Sequence, residues 1–301
     1  RPQNDRKEIS SMEHRAEYRE HRAEHMEQME HRAGHAEQME HRAGPAEQSR
    51  TVPPQAQSYI AVDLETTGLN PKLDKIIEIG AIRVEQGQEM ARFHTMVNPR
   101  RPLEERVTAL TGITDQMVEN APDIGDIIPG LVDFCGNLPL LGHHIIFDYS
   151  FLKRAAVNER LGFERSGIDT LKLCRRWMPP EEKKNLEAAC AWFGILRESA
   201  HRALSDARDA HRLYQVLAEC WGEAEPETFA PKPLIYKVKR EQPASKKQKE
   251  DLRYLLKYHK IDLPVQIDFL SRNEVSRLTD KIISQYGRIR TAGFRQQIEK
   301  R

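Results

Sequence analysis

Cysteine is scarce in this chain. The four residues, Cys135, Cys174, Cys190 and Cys220, form no C-x-x-C pair. That usage argues against a disulfide framework and fits reduced, buried thiols in a cytoplasmic setting. No apolar run is long enough to span a membrane, and no secretory-signal pattern stands in the sequence. The expectation is therefore cytoplasmic localisation and no membrane partner. An excess of charge of one sign is also missing, because 47 Lys and Arg face 46 Asp and Glu, for a net +1.

The balance conceals segregation along the chain. Residues 1–57 carry 9 basic and 11 acidic side chains, residues 58–230 carry 20 and 27, and residues 231–301 carry 18 and 8. The middle is acidic and the C-terminal end strongly basic. A basic end suits contact with a polyanion, although a solvated, lysine-rich surface would look the same. The first segment is a degenerate ten-residue repeat, seen at His21-Arg22-Ala23-Glu24, His31-Arg32-Ala33-Gly34 and His41-Arg42-Ala43-Gly44, with a shorter copy from His14. It lacks a strong apolar stripe and cannot bury a core, so a fraying helix or disorder is expected. The pairs His21/His25 and His31/His35 have a spacing that suits a transition metal, but a solvated face is the plainer reading. Pro45, Pro53 and Pro54 turn the end of this segment into a linker.

Chemistry enters with Tyr59-Ile60-Ala61-Val62-Asp63-Leu64-Glu65-Thr66-Thr67-Gly68. The apolar start reads as a buried strand. Asp63 and Glu65 are two apart and so share a face at its end. Burying two like charges side by side is unfavourable unless a cation offsets them, and oxygen ligands suit magnesium or manganese. A second segment, Gly142-His143-His144-Ile145-Ile146-Phe147-Asp148, leads from a short strand into a helix with Asp148 in its first turn. A third, His201-Arg202-Ala203-Leu204-Ser205-Asp206, places a histidine in a loop just ahead of a helix whose first turn holds Asp206. Each alone has a structural explanation: a carboxylate suits the positive end of a helix dipole, and His201 alone reads as a surface residue.

Taken together, D-x-E-T-T-G, a later F-D and H-x-A-x-x-D resemble the DEDDh, or DnaQ-like, 3′–5′ exonucleases, and most of all the exonuclease domains and subunits of bacterial replicative polymerases. Val97-Asn98-Pro99 and Leu110-Thr111-Gly112-Ile113-Thr114 resemble further elements of that pattern. The resemblance covers residues 58 to about 222. It implies that Asp63, Glu65 and Asp206 ligate one of two divalent cations, magnesium or manganese. Asp63 would bridge to the second, which Asp148 would support. His201 would be the general base, and Leu64, Thr66, His144 and Phe147 would meet the terminal nucleotide. Many members carry Asn where this chain has His144, which bears on nucleotide preference.

The chemistry asks for these residue types. Two cations about 3.5–4 Å apart can hold both the attacking and leaving oxygens of a phosphodiester, and several carboxylates are needed to hold that much positive charge. A histidine, with an unperturbed pKa of about 6.5, suits proton abstraction near neutral pH. The expected activity is hydrolysis at the 3′ end of DNA, releasing nucleoside 5′-monophosphates in proofreading or repair. An exoribonuclease of the same family remains open, as does a non-catalytic nucleic-acid-binding scaffold on the same fold. Expected partners are single-stranded 3′ ends, DNA before RNA, and a DNA polymerase or other replication protein.

The pattern of elements is α/β. Strands are expected at 58–64, 75–85 and 89–97 with a turn at Gln86-Gly87-Gln88. Helices follow at 103–110 and 123–135, a strand at 138–142, a helix at 146–160, a strand running into a helix over 168–176, and helices at 184–193 and 204–221. A meander followed by alternating helices and strands agrees with the ribonuclease-H-like mixed sheet that the resemblance implies. Residues 223–244 read as a linker. Ser245-Lys246-Lys247-Gln248 and Ser271-Arg272-Asn273-Glu274 are capping boxes, so a basic two-helix module is expected over 245–290, followed by a tail at 291–301. It is loosely similar to SAP-type nucleic-acid-binding modules. A unit this small is marginal alone, so docking on the core or folding on binding is expected.

Overall fold

The computed structural model describes residues 56–197 and 200–289. The N-terminal repeats with their histidine pairs, and the end of the C-terminal tail, lie outside the described residues. Three strands open the fold: β1 Tyr59–Thr66, β2 Ile76–Glu85 and β3 Gln88–Met96. β2 and β3 form a hairpin whose connecting Gln86 and Gly87 both have positive φ, 50° and 77°. That geometry matches the right-handed twist of the flanking strands.

Two short helices follow, α1 Glu105–Thr111 and α2 Asp115–Val118. The single helix expected at 103–110 is thus followed by a second, separate turn, because Gly112 at φ 71° closes α1 in the left-handed region. Next come α3 Ile124–Cys135, β4 Leu140–Gly142, α4 Ile146–Asn158 and β5 Ser166–Asp169. β4 begins later than expected because the Leu138 N–H still bonds to the Cys135 carbonyl, closing α3. Then follow α5 Thr170–Trp177, α6 Leu186–Trp192, α7 Ala203–Trp221, the short α8 Pro226–Phe229 and a two-residue edge strand, β6 Lys232–Pro233.

The sheet order is β3-β2-β1-β4-β5-β6. The meander pairs antiparallel, while β1–β4 and β4–β5 are parallel and β6 returns antiparallel. This is the ribonuclease-H-like mixed sheet. Helices cover both faces, and the period of two along β1 divides its side chains between them. Tyr59 and Ala61 pack with Leu213, Tyr214 and Leu217 of α7. Ile60, Val62 and Leu64 pack with Ile128 and Leu131 of α3 and with Tyr149 and Leu152 of α4. Leu213 and Leu217 are fully buried, and each contributes about 1.5–3 kcal/mol by leaving water.

The C-terminal module consists of α9 Lys246–His259 and α10 Arg272–Tyr286. Both carry complete capping boxes, Ser245 with Gln248 and Ser271 with Glu274. Leu252, Leu255 and Leu256 pack against Val275 and Ile282 in a small core. The module docks on the sheet domain. Lys75 reaches Glu274 at 2.8 Å, and Glu241 N–H bonds to Asn158 at 2.9 Å.

Gly80 on β2 faces Asp63 across the β1–β2 ladder. A Cβ there would lie 2.1 Å from Leu204 N and 2.2 Å from the carbonyl carbon of Ala203. The neighbours are backbone, so the start of α7 would have to move. Gly80→Ala is expected to destabilise the protein by about 1–3 kcal/mol or more, as overpacking does. Urea unfolding of the variant checks this; a midpoint equal to that of the parent would show that α7 does not depend on the close approach.

Candidate active site

The two-residue period continues past the apolar part of β1. Asp63 and Glu65 belong to the series Tyr59–Ala61 that faces α7, so the strand itself points both carboxylates at that helix. Asp206 lies in the first turn of α7 and is buried. Ligand atoms of Glu65, His201 and Asp206 all lie within 4.8 Å of one another. Asp63 is not part of that set; it is half-buried beside it, with Asp148, Asp206, Glu65 and Glu78 as electrostatic neighbours. Asp148 arrives from the other layer, in the first turn of α4. It is 3 % exposed, and its Oδ1 accepts the Leu64 N–H at 3.1 Å. All five residues implied by the motifs therefore converge on the end of β1.

The remaining expected residues surround this cluster in different ways. The Leu64 side chain is buried in the core beside α4. Thr66 ends the strand, and its hydroxyl donates to the Gly68 carbonyl at 2.7 Å. Phe147 is half-buried with its ring against Phe151. His144 is exposed, at φ 72°, and its N–H donates to Asp169 Oδ1 at 3.0 Å. The same oxygen accepts the Leu171 N–H at the start of α5, so Asp169 ties the approach to α4 to the next helix.

Three supporting residues were not singled out from the sequence. Glu78 is the cross-strand partner of Glu65 and is fully buried. It accepts from Arg202 Nη2 at 2.9 Å and from the Ala203 N–H at 3.2 Å, and His94 Nε2 lies 2.7 Å away. It thus caps α7 from a neighbouring strand, where Arg202 supplies no side-chain cap. Burial works to raise the Glu78 pKa, but the bonds from Arg202, His94 and Ala203 outweigh it and hold the group below its usual range. Arg197, the third, contacts Asp206 and donates from Nε to Asp209 Oδ2 at 2.8 Å. A charged residue inside the apolar run Ile76-Ile77-Glu78-Ile79 was the available signal for Glu78. Arg197 had none.

Electrostatically the cluster carries more negative charge than the protein offsets. Burial and then the Asp148, Asp206, Glu65 and Glu78 charges push the Asp63 pKa well above the ordinary carboxylate range. Burial likewise raises Asp148, against the Leu64 N–H bond. Glu65 is pushed up to about 7 by burial, Asp206 and Glu78, with Arg202 opposing. Burial raises Asp206 as well, although Arg197 counteracts it. Buried oxygen donors that repel one another fit a divalent cation.

Residues 60–214, just over half of the chain, match the RNase_T family, described as exonuclease. The chain belongs to this exonuclease family. Among its relatives is the PolC-type DNA polymerase III of Thermotoga petrophila. The two are 37 % identical over 159 residues, covering 52 % of this chain and 12 % of that protein. The corresponding protein of Bacillus subtilis is 36 % identical over 169 residues, covering 55 % and 12 %. The chain thus spans about a tenth of the length of the curated relatives it matches. Among solved structures, exonuclease X in complex with 5′-overhanging duplex DNA is 25 % identical with a TM-score of 0.45, covering 57 % of this chain and 99 % of that one. Escherichia coli exonuclease I with a dT13 oligonucleotide is 18 % identical with a TM-score of 0.48, covering 57 % and 42 %.

The raised carboxylates give a pH signature. Without metal, the folded protein holds protons that the unfolded chain releases. Glu65 therefore contributes stability that is present below its ordinary value near 4.5 and lost as pH rises through about 7, on the order of 3 kcal/mol. His211, buried and held down to about 4, acts in the opposite sense, its stabilising effect fading as pH falls from 6.5. The difference between thermal midpoints with magnesium and with chelator isolates the cluster. That difference is expected to be larger at pH 8 than at pH 5.5. Equal differences would show that the carboxylates take no cation.

Proposed function

We propose that this chain is a metal-dependent 3′–5′ exonuclease that hydrolyses the terminal phosphodiester of DNA and releases nucleoside 5′-monophosphates. The observation that carries this reading is the convergence of Asp63, Glu65, Asp148, Asp206 and His201 on one strand end, from three separate elements, in a member of the exonuclease family. The catalytic unit in this reading is residues 58–222; of the linker expected over 223–244, α8 and β6 join the sheet domain, and the appended module is 245–290. The preferred substrate is a single-stranded 3′ end. The likeness to PolC-type polymerases supports a role beside a DNA polymerase or another replication protein.

In this scheme Asp63, Glu65 and Asp206 hold one divalent cation, magnesium or manganese, and Asp63 with Asp148 serves a second. Bound there, such ions stabilise charge on the attacking and leaving oxygens of an in-line displacement. The residues of the chain do the rest. His201 stands in the exposed loop ahead of α7, held by the bond from its N–H to Asp206 Oδ2 at 3.3 Å, and takes the proton of the attacking water. Thr66, Phe147 and His144 line the place of the terminal nucleotide, above the buried Leu64. Glu78 and Arg202 fix the start of α7, and so the separation of Asp206 from Glu65.

The closeness of His201 to Glu65 and Asp206 also suits a ligand role, and one pair of measurements separates the two. Asp63→Ala or Asp206→Ala is expected to abolish hydrolysis of end-labelled single-stranded DNA in magnesium or manganese. His201→Ala is expected to lower turnover by about 10²–10⁴-fold, the usual loss for a general base, with manganese affinity by calorimetry nearly unchanged. Loss of that affinity would make His201 a ligand. Parental turnover by either aspartate variant would overturn the exonuclease reading. Parallel lanes of duplex DNA and RNA, with chelator as control, report substrate and sugar preference.

A further inference from the structure

The turn that leaves β1 has two sides. On one, Thr66 closes the strand beside the carboxylates. On the other, Leu73 and Lys75 form part of the wall of a cleft of about 500 Å³ between the sheet domain and α10. The turn is held firmly. Thr67 N–H bonds to the Lys75 carbonyl at 2.8 Å, Lys75 N–H to Thr67 Oγ1 at 3.0 Å, and Asn70 N–H to Asp74 Oδ2 at 2.9 Å. One short, well-bonded segment therefore connects the carboxylate cluster with the cleft.

The cations of the cleft fall into two groups. Lys75 and Arg101 pair with Glu274 at 2.8 and 3.3 Å, and Arg100 forks onto Asp123 at 2.6 and 2.7 Å. Lys75 and Arg101 fasten the module to the sheet domain. Arg277 and Lys281, one helical turn apart on α10 and both exposed, have no carboxylate partner among the described residues. Arg277 donates instead to the Lys72 carbonyl, at 3.5 Å, so it already leans over the turn. Between the two groups lies apolar surface open to water. Leu73 is 42 % and Phe269 55 % exposed, with the Arg100 guanidinium 4.3 Å from the Phe269 ring centre.

Unpaired cations beside an exposed aromatic and aliphatic wall are what a nucleotide recognises: phosphate on the cations, base on the ring. We propose that this cleft holds the substrate strand upstream of its 3′ end, as single-stranded nucleic acid, with Arg277 and Lys281 on phosphates and Phe269 under a base. The proposal rests on the exonuclease reading for the identity of the polyanion. An acidic peptide would satisfy the cations too. The strand is favoured because the 66–75 turn joins the wall of the cleft to the strand that carries Asp63 and Glu65.

The test uses the full chain in chelator, with binding of a fluorescein-labelled oligo(dT) read by anisotropy at several salt concentrations. Arg277→Glu with Lys281→Glu is expected to reduce the magnitude of the log–log salt slope by about 1.4, from two lost contacts at roughly 0.7 each on a single strand. Phe269→Ala is expected to weaken binding about fivefold or more at every salt concentration, with the slope unchanged. Hydrolysis of a nitrophenyl ester of thymidine 5′-monophosphate, too short to reach the cleft, is expected to be unaffected in all variants. Parental affinity and slope in both variants would overturn the proposal. So would a glutamate-rich peptide that binds the parent and not the charge-reversed variant while oligo(dT) binding is unchanged. Normal ester hydrolysis with unaltered strand binding would sink the cleft alone. Absence of any hydrolysis with the expected binding losses would sink the exonuclease reading and leave the cleft standing.

Discussion

The position of helix α7 depends on the Glu78 carboxylate. From the middle of a buried strand it receives the first N–H of the helix and the Arg202 guanidinium beside it, and two residues further along the same strand Gly80 leaves room for the helix backbone to come close. A hydrogen bond to a charged group is worth more than one between neutral groups. An unpaired carboxylate in that place would be costly. The strand and the helix start are therefore locked at one separation, and the locations of Asp206 and of the loop bearing His201 follow from it. The long packing contact of Leu213 and Leu217 holds the helix to the sheet but does not by itself set where the helix begins.

The cluster shows how a fold can tolerate charges that repel. Asp63 and Glu65 lie at the end of a strand that is otherwise mostly buried and apolar, and Asp148 meets them from the first turn of α4, so their desolvation follows from where the strand stops and that helix starts. Different neighbours compensate them unequally. Asp206 has Arg197, Glu78 has Arg202, and Asp148 has backbone N–H groups, that of Leu64 and its own. Asp63 has like charges around it, and its pKa is accordingly raised well above the ordinary range. The least compensated group is thus Asp63, whose electrostatic neighbours are all carboxylates.

Much of this was legible in the sequence, for identifiable reasons. The strand and helices that carry the motifs have strong periodicity, and Ser245 and Ser271 announce their helices through capping boxes that the structure completes. The convergence of Asp63, Glu65, Asp148, Asp206 and His201 followed from the resemblance; no single segment contained it. The supports were illegible for a different reason. Glu78 and Arg202 meet from 124 residues apart; Glu78 shows locally only as a charge inside an apolar run, without its partner, and Arg202 and Arg197 carry no local mark. The break after α1 and the late start of β4 were missed because one glycine conformation and one helix-closing bond decide them. The docking of the module on Lys75 and Arg101 was open for the same reason as the supports: it is set by charge pairs between distant segments.

β1 pairs with β4 through Ile60 and Ala61 alone, and beyond them the Leu64 N–H bonds to a side chain, not to a neighbouring strand. The central strand of the sheet therefore has one edge left open over its last residues, and a helix side chain closes it. Completion of that edge requires β1, β4 and α4 to be in place together, while the opposite edge is paired with β2 along its length and α7 covers one face. Contacts between such distant parts of a chain slow folding, because loop closure comes before they are rewarded. A partly folded copy of this protein would have its carboxylates scattered in solvent. The carboxylate cluster is thus a property of the finished fold and of no part of it.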